Sequence, residues 1–258
     1  MSRLVHVIAV LAIVAVPFVG WFVDGWSGGT TLVVYWFETL VVTLLIAARV
    51  LVHRRLAPCR GHYRYQAAGS TTQSPTRPSF LAGFLITSLA FTAAHGVFLV
   101  VIVFLLGRNG QRNLAGIDWH SVRFGCLLVL GFLCVDLAVD LVTVRRWPFR
   151  RLELMAQQGF SRIVVVHLTL ILGLFAIAVT DAPNALFGVF VVLKSLAALS
   201  FALPQWEPQQ PPAWFSRAMN RLPNVHPGQR FEEHWAKDRA DELARLARNE
   251  EPWTPSTR

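Results

Sequence analysis

Residues Thr30–Val52 read TTLVVYWFETLVVTLLIAARVLV. A helix needs about 20 mostly apolar residues, at 1.5 Å each, to cross the hydrocarbon of a bilayer. This run is long enough, and it carries the carboxylate of Glu38 near its middle. A water-soluble helix of that length would spread several charges over one face. In lipid a buried carboxylate costs several kcal/mol unless a cation or water answers it, so the chain must supply a partner for Glu38.

Reading outward, five further runs have the same character: Leu4–Val23, Phe80–Leu106, Val122–Val144, Ile163–Thr180 and Asn184–Leu203. The expected fold is all-α: a polytopic membrane helix bundle of six transmembrane helices over residues 1–204, followed by a short cytoplasmic helical tail over 205–258. Composition points the same way. Hydrophobic residues make up 54% of the 258 and charged residues only 15%, with a mean hydropathy of +0.46, which excludes an ordinary soluble domain. The first run follows Met1, Ser2 and Arg3 like a secretory signal, but Pro17 and Trp21 occupy the place of a cleavage site, so it reads as an anchored first helix.

The net charge of +9 does not indicate nucleic acid, because no nucleic-acid motif is present and the arginines stand beside the apolar runs. Arg49, Arg54, Arg55, Arg60, Arg64 and Arg77 follow the second run; Arg145, Arg146, Arg150, Arg151 and Arg162 follow the fourth. The opposite loops are poorer, Asp24–Gly29 and Asp181–Pro183 having none and Gly107–Ser121 having Arg108 and Arg112. The positive-inside rule then predicts a multi-pass protein of the cell membrane, of the bacterial inner-membrane kind, with both termini cytoplasmic. Its expected partners are the lipid bilayer and anionic headgroups at the arginine clusters. Trp21, Trp26, Tyr35, Trp36 and Trp119 read as an outer aromatic belt, and Trp147 as an inner one.

In the tail, Pro204–Pro212 is a proline-rich connector. Trp214, Phe215 and Met219, interleaved with Arg217 and Arg221, predict a short helix at the inner headgroup surface. Gln229–Asn249 reads as a soluble helix with Glu233/Lys237 and Asp241/Arg245 at i,i+4 and an apolar stripe of Phe231, Trp235, Leu243 and Leu246, expected to pack on the cytoplasmic loops. Cys126 and Cys134 are eight residues apart on one run, too far along a helix to bridge, and Cys59 lies in a basic loop, so no disulfide framework is expected.

Six ionisable residues lie inside the apolar runs: Glu38, His95, Asp136, Asp140, His167 and Lys194. Counted inward from the outer end of each run, Glu38, His95 and Lys194 fall roughly 12–17 Å deep, Asp136 and His167 near roughly 21 Å, and Asp140 deeper still. Matched depth predicts pairing of Glu38 with Lys194 and of Asp136 with His167, while Asp140 is expected at the interface near Arg145 and Arg146. Thr31, Tyr35 and Glu38 share a helix face, as do Ser88, Thr92 and His95, and such polar faces should look into the bundle. No HExxH or paired-histidine spacing accompanies His95, so no metal or cofactor is expected.

Several of these segments also form a pattern in chain order: Tyr35-Trp36-Phe37-Glu38, then His95-Gly96-Val97-Phe98, then the run from Arg162 through His167 to Gly173, then Leu193-Lys194-Ser195. The pattern resembles the bacterial integral-membrane family known as domain of unknown function 6498 over about the first 205 residues. The resemblance implies a multi-helix membrane protein and supplies no activity; it picks out Glu38, His95, His167 and Lys194. The chain departs from it after the lysine, where Ala197 and Ala198 stand in place of an acidic residue.

Three functions compete. In the first, the polar interior binds or relays a proton, cation or small polar ligand through Glu38, His95, Asp136, His167 and Lys194. In the second, the ion pairs only hold a structural or assembly protein together. In the third, His95, His167, Asp136 and Glu38 serve an intramembrane metal-dependent hydrolase. The first is preferred and an enzyme is the least expected.

Overall fold

The structure, a computed structural model, describes residues 2–68, 79–108, 110, 112–161, 164, 183–202, 208, 210–222 and 230–254. Among the described residues the regular elements are helical: α1 (Ser2–Phe22), α2 (Gly28–Leu56), α3 (Arg60–Tyr63), α4 (Phe80–Arg108), α5 (Arg112–Ala115), α6 (Trp119–Thr143) with a 3₁₀ turn at Val144–Arg146, α7 (149–161), α8 (Pro183–Ala202), α9 (Ala213–Met219) and α10 (Phe231–Glu250). Three helical stretches are long and apolar enough to cross a membrane: Gly28–Leu56, Phe80–Arg108 and Trp119–Arg146. Ile8–Phe22 and Phe187–Ala197 are shorter apolar stretches at the expected first and sixth runs. The expected fifth run, Ile163–Thr180, lies outside the described residues apart from Val164.

The chain divides into two compact units. The first comprises Met1–Ala57 and Leu81–Leu203. Helix α2 is its centre, lying against α1 and α6 and, at its start, α5. One face of α2 joins a cluster of Leu32, Tyr35, Leu99, Leu114, Phe187 and Val191; another joins Val34 and Val41 to Ile13, Trp26, Val129 and Leu133. Local chemistry sets the helix ends. Ser27 caps α2 by accepting from Thr30 N at 3.1 Å, and Asp118 caps α6 by accepting from His120 N at 3.0 Å. Pro58 follows the last turn of α2, where a proline cannot continue a helix.

The outward faces are apolar. Val97, Val100 and Phe104 on α4, and Phe124, Leu127 and Val142 on α6, are exposed, whereas Glu38, Arg49, Asp136, Asp140 and Lys194 are buried. That arrangement inverts a soluble bundle and suits a lipid solvent. Between such helices water supplies no hydrophobic push, so close contact comes from small residues. Trp26 lies against Gly20 of α1 and Gly125 of α6, where a Cβ on Gly125 would stand 2.6 Å from the indole. Trp26, Tyr35 and Trp147 are therefore packed inside rather than placed in the aromatic belts expected for them; Trp119 is exposed, as a belt residue should be.

The second unit comprises Pro58–Phe80 and Pro204–Arg258, with α10 packed on α3. Gln66 is clasped by α10: its carbonyl accepts from Arg245 Nη1 at 2.7 Å and from Asn249 Nδ2 at 3.1 Å, and its Oε1 accepts from Arg248 Nε at 2.9 Å. Arg60 pairs with Glu251 at 2.8 Å, and Trp253 stacks on Tyr63 with centroids 4.7 Å apart. Two details differ from the expectation. Arg245 pairs with Glu242 at 2.7 Å, one residue closer than Asp241, and its guanidinium also reaches the Gln66 carbonyl. Leu243 is exposed, and the packed line instead runs Phe231, Trp235, Arg239, Glu242, Leu246 and Asn249, the faces a helix of 3.6 residues per turn brings into register.

Candidate functional site

Two ionic layers stand one above the other along α2. In the first, Lys194 of α8 donates from Nζ to Glu38 Oε2 at 2.8 Å. The same Nζ sits 3.1 Å from the centroid of the Tyr35 ring, a cation–π contact one turn before Glu38. Glu38 is 8% and Lys194 9% exposed. Ser195, next to the lysine, donates its hydroxyl to Val191 O at 2.8 Å, as hydroxyls do when a helix leaves them no water. The predicted Glu38–Lys194 pair is thus present, and its formal charges cancel.

The second layer lies eleven residues along α2, roughly 16 Å of helix rise. Arg49, 4% exposed, donates from Nη2 to Asp136 Oδ2 and from Nε to Asp140 Oδ2, each at 2.8 Å. The two aspartates are four residues apart, so successive turns of α6 present them together to one planar guanidinium. Arg151 reaches Asp140 Oδ1 at 3.4 Å while its guanidinium lies 3.6 Å from the centroid of the Trp147 ring. The Trp147 indole donates to Thr143 Oγ1 at 3.0 Å, and its carbonyl lies 3.0 Å from His53 Nε2. Two arginines and two aspartates again sum to zero charge.

This layer bears on two expectations. Asp136 is met by Arg49; His167, its predicted partner, lies outside the described residues. Asp140 is buried and is met by Arg49 and Arg151 rather than by Arg145 and Arg146. Arg49 itself was counted with the headgroup arginines because it stands near the end of its run. One signal could have found it: positions 38 and 49 are separated by just over three helical turns, so they share a face.

His95 is buried on α4 in line with Ser88 and Thr92, whose hydroxyl donates to Ser88 O at 2.8 Å. That face meets α2 at Trp36, whose indole donates to Thr92 O at 2.9 Å and lies over Gly96, leaving 2.9 Å for any Cβ there. Among the described residues no three His, Cys, Asp or Glu side chains gather as a metal site. Glu38 and Asp136, which a metal-dependent hydrolase would need in one coordination sphere, belong to separate layers and each engages a cation.

Outside the apolar helices, the Asp118 carboxyl is held below the usual carboxylate range by the Ser121 hydroxyl and the His120 N–H. Thr30 Oγ1 accepts from Asp118 N at 2.9 Å, and Ser27 donates to Gly116 O, so the caps of α2 and α6 are tied to each other.

The model of a family described as of unknown function, DUF6498, matches residues 1–213. No curated protein and no solved structure matches this chain.

Proposed function

We infer a function from the premise that this chain belongs to the DUF6498 family, whose function is unknown: it crosses the cell membrane six times, with both termini in the cytoplasm, and binds or relays a proton at the Glu38–Lys194 pair. The apolar outward faces of α4 and α6 support the membrane setting. The surplus of arginine after the second and fourth apolar runs supports the orientation, and its exposed members Arg55, Arg145 and Arg146 meet anionic headgroups.

The observation that carries the proton reading is the contrast between the two layers. A guanidinium keeps its proton at any physiological pH, so the Arg49 layer is a permanent clamp. A lysine ammonium 2.8 Å from a carboxylate can pass its proton across, leaving two neutral groups that low-dielectric surroundings accept. Glu38 is then the acceptor and Lys194 its exchangeable counter-charge. The aromatic wall of Tyr35 excludes water from one side of the lysine.

The same closure supports a second reading, in which the pair only holds α2 to α8. Proton flux in proteoliposomes carrying an internal pH dye separates the two. Under the proton reading Glu38→Gln, Lys194→Met and Lys194→Arg all abolish flux, the last while keeping the charge and the thermal stability. Unchanged flux in all three, or no flux in the natural chain, leaves the structural reading.

A further inference from the structure

The tail beyond the family match begins in α9 and divides its apolar residues between two faces. Phe215, Ser216 and Met219 turn inward, with Phe215 edge-on to Phe231 of α10 at 5.4 Å. Asn220 ends the helix and caps α10 by accepting from Phe231 N at 2.9 Å, which fixes the angle between the two. Exposed on the outside are Trp214, Arg217 and Ala218, at i, i+3 and i+4 of α9, and then Arg221 and Leu222 in the turn that follows Asn220.

Trp214 is 68% and Leu222 57% exposed. Two large apolar side chains exposed within one short segment, beside two arginines, mark a surface that something covers. The charge on the face says what. Arg217 and Arg221 are its charged members, and no carboxylate of the described residues pairs with either. Arg217 donates its Nε to Ala213 O at 3.2 Å, which holds the guanidinium over the face and leaves its terminal N–H groups for an outside acceptor. Tryptophan with arginine is the composition of a headgroup interface: the indole sits at the boundary of acyl chain and headgroup, and the arginines meet phosphate.

Chain connectivity brings that acceptor within reach. α8 ends at Ala202 and α9 starts at Ala213, so the connector 203–212 spans at most roughly 35 Å when extended. A weak surface becomes effective at such a tether length because the second contact is intramolecular.

We propose that the Trp214–Arg217–Arg221–Leu222 surface, formed by α9 and the turn after it, binds the anionic phospholipid of the inner leaflet. The inference rests on the membrane reading above but is independent of any proton role. The test uses the full chain in nanodiscs of phosphatidylcholine alone or with one-third phosphatidylglycerol, with incorporation checked separately by flotation. Amide hydrogen exchange over 213–222 is expected to slow by roughly tenfold in the anionic discs, as two arginines at a charged leaflet imply. Arg217→Gln with Arg221→Gln removes the difference, and high salt weakens it. Equal exchange in the two lipids, with incorporation intact, overturns the proposal and assigns the face to another occupant. Failure to incorporate at all would instead overturn the membrane reading.

Discussion

Arg49 and Asp140 meet 2.8 Å apart although 91 residues separate them in the chain. The contact joins α2 to α6, and through Arg151 it reaches α7. A cation shared by two carboxylates in a buried site is worth little over an apolar replacement of the whole group, but removing it alone strands both acids.

Arg49→Met is accordingly expected to lower stability by about 3–5 kcal/mol. Asp136→Asn and Asp140→Asn should each cost less, since the other aspartate still answers Arg49. Reversible unfolding in mixed micelles measures all three, and an Arg49→Met protein as stable as the natural one would show the layer to be hydrated rather than closed.

At the other layer, Lys194→Met leaves the Glu38 carboxylate buried without its cation. Each single substitution should cost about 3 kcal/mol, and the double Glu38→Gln/Lys194→Met clearly less than the sum, with a coupling of about 1–3 kcal/mol. A strictly additive double-mutant cycle would mean that the two side chains do not meet.

The Trp26 contact predicts opposite outcomes at two glycines of α6. Gly125→Ala pushes a methyl into the indole and should cost about 1–3 kcal/mol. Gly131 has nothing within 4 Å of its would-be Cβ, so Gly131→Ala should be neutral or stabilise the helix by up to about 1 kcal/mol. Thermal unfolding of the two variants side by side reads the contrast.

Burial raises the Cys59 thiol from the ordinary 9.0 to about 11. The folded unit therefore holds this proton more tightly than the unfolded chain does, and the stability it contributes is complete below pH 9.0 and lost as pH rises through about 11. At pH 8 roughly one thiol in a thousand is ionised, so maleimide labelling in a Cys126→Ser/Cys134→Ser background should be slow. Truncation after Glu251 removes Pro252, which bridges to Cys59, and Trp253, which stacks on Tyr63, and should speed labelling roughly tenfold or more.

The Glu38–Lys194 pair was legible before any coordinates because both residues stand far inside apolar runs at matching depth, where an unanswered charge is costly. Arg49 escaped because the positive-inside rule treats an arginine near the end of a run as a headgroup contact. Its guanidinium instead turns inward to Asp136 and Asp140. Trp26 and Trp147 were misplaced for a similar reason: tryptophan near a span end reads as belt, yet here one ring fills the gap left by two glycines and the other lies under Arg151. In the tail, the period of α10 was readable, but the Gln66 clasp drew Arg245 and Asn249 into the contact and left Leu243 outside.

By itself the sequence determined where the helices run and which side chains lipid would not tolerate, because length, hydropathy and capping act over one or two turns. That Arg49 answers both Asp136 and Asp140 was decided by tertiary structure alone. Depth along a helix is written in the chain, but the rotation of that helix and the identity of its neighbours follow from packing between segments scores of residues apart, and there Gly20, Gly125 and Trp26 carry as much weight as the charges.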